Sequence, residues 1–281
     1  MYEREPAVSG QFYEHSAVSL RKEIENCFLK KGFGPEKLPR IEKGQRKIVG
    51  LIVPHAGFIY SGPIAANSFF QLAADGEPKD FVIIGPNHTG IGTAVSIMDE
   101  GIWKTPLGKA KIDSQLAGKI IEKSEIARKD MGAHLYEHSV EVQLSFLQFI
   151  YKDFNFVPIC MLDQSYDACL DLGNAIAKSV ANENAVVIAS SDFTHFETNE
   201  FAHEQDGKAL DAIKKMDAKK FIEVIEYENI SACGYGPIAA MLVAAKKLKA
   251  KSCEVLKYAT SGDVSGDGSR VVGYAAAKVT K

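Results

Sequence analysis

The sequence contains no C-x-x-C pair, and its five cysteines (Cys27, Cys160, Cys169, Cys233, Cys253) are an odd number. That excludes a disulfide framework and a four-cysteine zinc site. Charge of one sign is not in excess either: 33 Lys and Arg stand against 36 Asp and Glu, a formal charge of −3 and a pI near 6.2. Such a balance draws the chain neither to nucleic-acid backbones nor to anionic membranes. Long apolar runs are missing: Pro237 to Ala245, the longest uncharged apolar stretch near the C-terminus, falls far short of a membrane span. The opening Met1-Tyr-Glu-Arg-Glu-Pro6 lacks a basic start followed by an apolar core, so no secretory signal is expected. These absences lead us to expect a cytoplasmic protein with reduced thiols.

Internal repeats, long Pro/Gly/Ser linkers, a Walker loop and a G-x-S-x-G elbow are also lacking. The composition is that of a globular chain, 46 % apolar and 25 % charged over 281 residues. A first helix is expected over Ala17–Lys31, followed by a loop from Gly32 to Pro39. From there β-branched runs alternate with helical patterns. The runs are Lys47–Val53, Phe81–Gly85, Phe156–Met161, Ala185–Ser190, Cys253–Tyr258 and Arg270–Val279, with an extra strand at Gly92–Ile97. The helical patterns are Pro63–Ala73, Ser114–Lys123, His138–Tyr151, Ala168–Ala181, Phe201–Lys215, Ala218–Tyr227 and Tyr235–Leu248. Several strands are almost wholly apolar, as when helices cover both faces of a sheet. The pattern predicts one domain over residues 1–281. It is a three-layer α/β/α sandwich whose central sheet is largely parallel and partly mixed.

Ligands in open α/β sheets bind beyond the carboxyl ends of the strands. Three of the seven histidines fall there: His55 in Pro54-His-Ala-Gly57, His88 in Pro86-Asn-His88, and His195 in Ser191-Asp-Phe-Thr-His-Phe196. Any one alone reads as a hydrogen-bonded structural residue. As a set they point to metal binding, because neutral imidazole is the commonest metal ligand. Two histidines plus one anionic ligand, with positions left open, suit first-row metals, and Asp192, Cys233 and Glu137 are the anionic candidates. Cys233 lies in Ser231-Ala-Cys-Gly-Tyr-Gly-Pro237 at the start of the last long helix, where the helix dipole favours a thiolate.

Other patterns carry less. His134-Leu-Tyr-Glu-His138 fits H-x-x-E-H, but that chemistry needs both histidines on one helical face. The helix is expected to begin near His138, which leaves His134 outside it and Glu137 and His138 in supporting roles near the cleft. Gly234-Tyr-Gly-Pro-Ile-Ala239 matches a dinucleotide fingerprint only formally, since it follows a helix and contains Pro237, and no nucleotide cofactor is expected. Asp263 to Gly268 begins like a calcium loop, but the twelfth position is Tyr274, so a turn between the last strands is expected.

With these motifs assembled, the sequence resembles the Memo family, whose members share a fold with the class III extradiol dioxygenases. The resemblance runs through Arg4–Tyr13, Val53–Gly62, Gly85–His88, Glu137–Leu144, Ser190–Phe196, Cys233-Gly234 and Tyr258–Asp263. It implies that His55 and His88 are metal ligands. It implies too that His195 is an acid/base histidine with Asp192 beside it, and that Cys233 stands where the dioxygenases use a carboxylate ligand. It further implies iron or copper binding and redox chemistry, and, in eukaryotic members, phosphotyrosine-peptide binding. A thiolate ligand favours copper(I), zinc or redox-active iron over ring-cleaving Fe(II). Two functions follow as expectations. One is a metal-dependent oxidoreductase with His55, His88 and Cys233 on the metal and His195, Asp192 and Cys233 in the chemistry. The other is a binding module or metal carrier whose cleft takes a peptide or small molecule and is lined by Phe58, Tyr60, Phe196 and Tyr235.

Overall fold

The computed structural model describes residues 2–281. The strands, in chain order, are β1 (Glu3–Arg4), β2 (Ile48–Val53), β3 (Asp80–Pro86), β4 (Val95–Ile97), β5 (Ile102–Thr105), β6 (Gly108–Ile112), β7 (Ala127–Lys129), β8 (Asn155–Met161), β9 (Ala185–Ser190), β10 (His195–Glu197), β11 (Ser252–Thr260) and β12 (Val271–Thr280). The helices are α1 (Ala17–Leu29), α2 (Phe58–Ala74), α3 (Ser114–Lys123), α4 (Glu141–Ile150), α5 (Tyr166–Val180), α6 (Asn199–Lys214), α7 (Ala218–Tyr227), α8 (Tyr235–Lys247) and the short α9 (Ser261–Ser265).

One sheet unites the strands in the order β1-β5-β6-β8-β3-β9-β2-β12-β10, with β11 on β12 and the β4–β7 pair joined through β8. Its centre, β6-β8-β3-β9-β2, is parallel, and its flanks bring in antiparallel pairs. The side-chain alternation of a strand explains the layers. In β3, Val82 and Ile84 pack with α3, α5, α6, α7 and α8, whereas Phe81 and Ile83 pack with α1, α2 and α4. Both faces are therefore apolar, which is why β2, β3, β8 and β9 read as uninterrupted hydrophobic runs. The fold is the expected three-layer α/β/α sandwich with a mixed sheet. Among the described residues, no helix is long and apolar enough to cross a membrane.

Three boundaries differ in ways that matter. Helix α2 begins at Phe58 rather than Pro63, with the proline inside the helix. Helix α4 begins at Glu141, so His138 lies on the loop before it. The turn after β11 is the five-residue α9, capped by reciprocal bonds between Thr260 and Asp263 and ended by the left-handed Gly266. The strands β1, β5, β6, β7 and β10 have no counterpart among the expected runs.

Candidate metal centre at the strand ends

The loop after β2 leads directly into α2, and its His55 is buried. Its main-chain N–H donates to Asp192 Oδ1 at 2.8 Å, which fastens the loop to the one following β9. The His55 tautomer follows from its neighbours. Ser190, the last residue of β9, donates its hydroxyl proton to the Ser139 carbonyl (2.7 Å) and accepts from Gln143 Nε2 (2.8 Å). Its contact with His55 Nδ1 at 2.9 Å therefore has the imidazole as donor. His55 Nε2 is left as the lone pair facing the strand-end space.

Glu137 arranges two further histidines. Its side chain is buried, yet it accepts from the main-chain N–H groups of His88 (2.6 Å), His138 (2.9 Å) and Ser139 (2.9 Å), and from His88 Nδ1 (2.9 Å). His138 Nδ1 lies 3.4 Å from the same carboxylate. The Glu137 loop can approach β3 because Gly85 has no Cβ; one built there would lie 2.2 Å from Ser139 Oγ. Ser139 Oγ instead donates to the Pro86 carbonyl at 2.9 Å. The three imidazoles then meet, with ring centroids 5.3 Å apart for His55–His88, 5.4 Å for His55–His138 and 4.6 Å for His88–His138.

Two sets of potential ligand atoms lie within 4.8 Å of one another, and they share His55: His55, His88 and His138, and His55, Asp192 and Cys233. Cys233 Sγ is 3.3 Å from His55 Nε2 and accepts from the Asp192 N–H at 3.3 Å. Among the described residues no set within that spacing contains both His88 and Cys233. Cys233 approaches closely because it is followed by Gly234, where a Cβ would lie 2.4 Å from the Ser190 carbonyl oxygen.

Electrostatics suit the imidazoles to ligation. Burial, reinforced by the other histidines, holds the His55 pKa well below its ordinary value, and burial lowers that of His138 to about 4. Both rings are neutral near pH 7, the form that binds metal. Burial works against a charged His88, but the hydrogen bond and charge of Glu137 outweigh it and raise the pKa. Burial likewise opposes ionisation of Glu137, and its His88 hydrogen bond overcomes this and lowers the pKa to about 2. Burial raises the pKa of Asp192, against the bond it receives from His55 N–H. For Cys233 the expected dipole effect is outweighed: burial and the adjacent Asp192 charge push the thiol well above its ordinary pKa. Without a cation it is a protonated S–H that donates to His55 Nε2.

His195 stands beside this cluster, partly exposed, with its N–H donating to Ser231 Oγ (2.7 Å) and Nδ1 donating to the Ser231 carbonyl (2.8 Å). That leaves Nε2 as an acceptor, in the form an acid/base histidine needs. Its predecessor Thr194 is anchored through N–H and hydroxyl to the buried Asp206. Of the four aromatics expected along a cleft, Phe58 is a core residue against Tyr13 and Phe146. Tyr60 and Phe196 are exposed. Phe196 has φ 64°, a left-handed backbone that costs a bulky side chain on the order of 1–3 kcal/mol.

A family model described as Memo-like protein matches residues 4–278. The chain belongs to the Memo family. It is 49 % identical over 278 residues to a MEMO1 family protein of Methanopyrus kandleri, covering 98 % of both chains. It is 47 % identical over 285 residues to one of Methanocaldococcus jannaschii and 44 % over 276 residues to one of Thermotoga neapolitana, again covering 98 % of each chain. A crystal structure of an uncharacterized Escherichia coli K12 protein matches 82 % of this chain and 99 % of its own, with TM-score 0.58 and 14 % identity, a likeness of fold.

In this Memo-family chain the H-x-x-E-H pattern splits, with neither histidine inside α4. His134 ends a 3-10 turn, is buried, and bonds Ser96 O (3.2 Å) and Cys160 Sγ (3.4 Å), in neither ligand set. His138 contributes more than the expected support, because it is the third imidazole of the cluster. Sequence reasoning gave no role to Ser190, Gln143, Arg4 or Glu141. Buried Arg4 donates to His134 O (2.6 Å), Glu137 O (2.7 Å) and Glu141 Oε2 (2.6 Å), clamping the Glu137 loop from the chain start. Glu141 also accepts from Ala7 N, Val8 N and Tyr13 hydroxyl. The signal for Ser190 lay in its place as the last residue of an apolar strand.

Proposed function

We propose that this Memo-family protein binds a first-row transition metal at the strand ends and uses it in redox or oxygen-related chemistry on a small molecule. The observation that carries the reading is the convergence of His55, His88 and His138 from three loops, with ligand atoms mutually within 4.8 Å. The Nδ1 of His55 is tied back by Ser190 and that of His88 by Glu137, which directs their Nε2 lone pairs to a common space. Three imidazoles with further positions open, His55 and His138 neutral and His88 giving up its Nε2 proton to a cation, fit iron, copper or zinc. Cys233 touches His55 Nε2 but falls in the other set, with His55 and Asp192, so it would reach the ion held by the three histidines only after losing its proton and shifting toward them.

Iron or copper held there would supply Lewis acidity and a one-electron couple, and zinc the Lewis acidity alone. The chain's own residues do the rest. His55, His88 and His138 would hold the ion, and the Ser190, Gln143 and Glu137 bonds fix the orientation of the His55 and His88 rings. His195 Nε2 exchanges a proton with a substrate group that reaches it, while Asp192 holds the His55 loop in place and its raised pKa lets it carry a proton near the site.

A second reading, a binding module or metal carrier without turnover, draws on the exposed, strained Phe196 beside His195. One experiment separates them. The protein is purified anaerobically under reductant, offered Fe(II), Cu(I) and Zn(II), and its metal content compared with His55→Ala, His138→Ala and Cys233→Ala. Stoichiometric metal in the wild type, lost in both histidine variants, supports the site, and equal near-zero metal in all forms overturns it. Metal-dependent oxygen consumption selects the enzyme, and retained metal without it selects the carrier.

A further inference from the structure

A second concave site lies at the other end of the sheet. A cavity of about 610 Å³ opens at the N-terminal ends of β3 and β8 and is lined by Arg21, Lys79, Lys109, Lys111 and Lys152, with Asp153 the one acidic residue on its wall. Lys79 immediately precedes β3 and Lys152 lies in the turn before β8. Lys109 and Lys111 are two apart on β6 and both exposed, while Ala110 and Ile112 between and beyond them are buried, so the strand presents both lysines on one side. The seven residues of β3 place this cavity about 20 Å from the histidine cluster at the opposite strand ends.

The cations converge without carboxylate partners to match them. Lys109 pairs with Glu3, but among the described residues Arg21, Lys79, Lys111 and Lys152 take part in no ion pair. Four uncompensated positive groups around one concavity, in a chain of net charge −3, repel one another. A multiply charged anion relieves that repulsion, whereas a single carboxylate satisfies only part of it. Leu107 and Phe154 add an apolar wall beside the cationic one.

We infer that this cavity is a binding site for a small ligand carrying clustered phosphate groups. The shared chemistry is the run of phosphates, which an inorganic polyphosphate and a nucleoside triphosphate both offer. The apolar wall favours the latter.

The test is calorimetric titration of the full-length protein with sodium tripolyphosphate and, separately, with magnesium-free ATP. The wild type is compared with a Lys111→Gln/Lys152→Gln double variant and a Lys246→Gln/Lys247→Gln control on α8. All four positions are exposed or partly exposed lysines outside the histidine cluster, and melting curves establish that each variant is folded. Saturable binding by the wild type and the control, weakened about tenfold or more in the Lys111/Lys152 variant and suppressed by added salt, is the expected result. Tighter binding of ATP than of tripolyphosphate identifies the organic ligand, and the reverse identifies the inorganic one. Heat that is unchanged in the double variant, including any from metal chelation at the histidines, overturns the inference. So does the absence of binding down to a Kd of about 1 mM. A single-stranded oligonucleotide that outcompetes both small anions overturns it as well. Because the readout is anion binding, its failure leaves the metal-content result untouched.

Discussion

Glu137→Gln tests the logic of the centre most directly, because it removes one charge while keeping the side chain's shape. The carboxylate accepts from three main-chain N–H groups and from His88 Nδ1. An amide keeps one acceptor oxygen and turns an NH2 group toward donors it cannot satisfy. The Glu137 pKa falls from an ordinary 4.5 to about 2, which at ~1.36 kcal/mol per pH unit corresponds to roughly 3 kcal/mol of preference for the folded, ionised form. The attraction between His88 and Glu137 raises one pKa and lowers the other, but it is a single free energy and is counted once. For a chain of this size, roughly 3 kcal/mol is a fall in Tm of about 6–9 °C.

The pH dependence has a defined sign. The carboxylate's contribution is fully present above pH 4.5 and is lost as pH falls through about 2. The His88 contribution is present below 6.5 and is lost as pH rises through its elevated folded value. The stability gap between wild type and Glu137→Gln is therefore widest between pH 4.5 and 6.5 and narrows on both sides. Metal affinity should fall about 10- to 100-fold, as when the carboxylate behind a ligating histidine is lost. The assays are denaturant unfolding across pH and competition with a chelator of known affinity. A Tm within about 1 °C of wild type, together with metal affinity unchanged within twofold, would refute the role given to Glu137.

Arg4→Met should destabilise the protein by about 3–5 kcal/mol, because it leaves the buried Glu141 carboxylate without its cation. The double variant Arg4→Met/Glu141→Leu should recover part of that loss in urea unfolding, and a double variant less stable than the sum of its single changes would count against a buried pair that matters chiefly when broken. Gly234→Ala should cost about 1–3 kcal/mol, since the new methyl meets the Ser190 carbonyl and Ser191 at distances the main chain must open to accommodate. It should also speed thiol alkylation at Cys233 while leaving that at Cys253 unchanged, read by mass spectrometry of each modified peptide. Equal rates and an unchanged Tm would show that the loop shifts freely.

What could be read from the sequence follows the physics of each element. Strands β2, β3, β8 and β9 are covered on both faces, so their apolar runs stand out without any partner being known. The flanking strands β5 and β6 carry Ile-Trp-Lys-Thr and Gly-Lys-Ala-Lys-Ile, too short and too charged to separate from loop. Proline is favoured at the first helical position, which predicts a start at Pro63, whereas α2 begins at Phe58 and carries Pro63 inside it.

The centre divides in the same way. His55, His88, Asp192 and His195 follow strand ends, so one topological rule finds them all. His138 follows no strand. It reaches the cluster because Glu137 accepts from its N–H and from His88 at once, a junction between residues 49 apart in the chain. Cys233 shows why position along a helix is a weak guide to a thiol. The favourable dipole of α8 is a local property, but the burial and the Asp192 charge that outweigh it come from β9 and the loop beyond, which only the folded chain brings alongside. A cation between the imidazoles would reverse that balance, since it would replace the proton on sulfur that now rests against His55. The loss of that proton, followed as thiolate absorbance on adding Zn(II) to wild type and to Cys233→Ser, is therefore the direct readout of whether sulfur joins the histidines. Absorbance that is identical in the two proteins would leave the imidazoles alone on the metal.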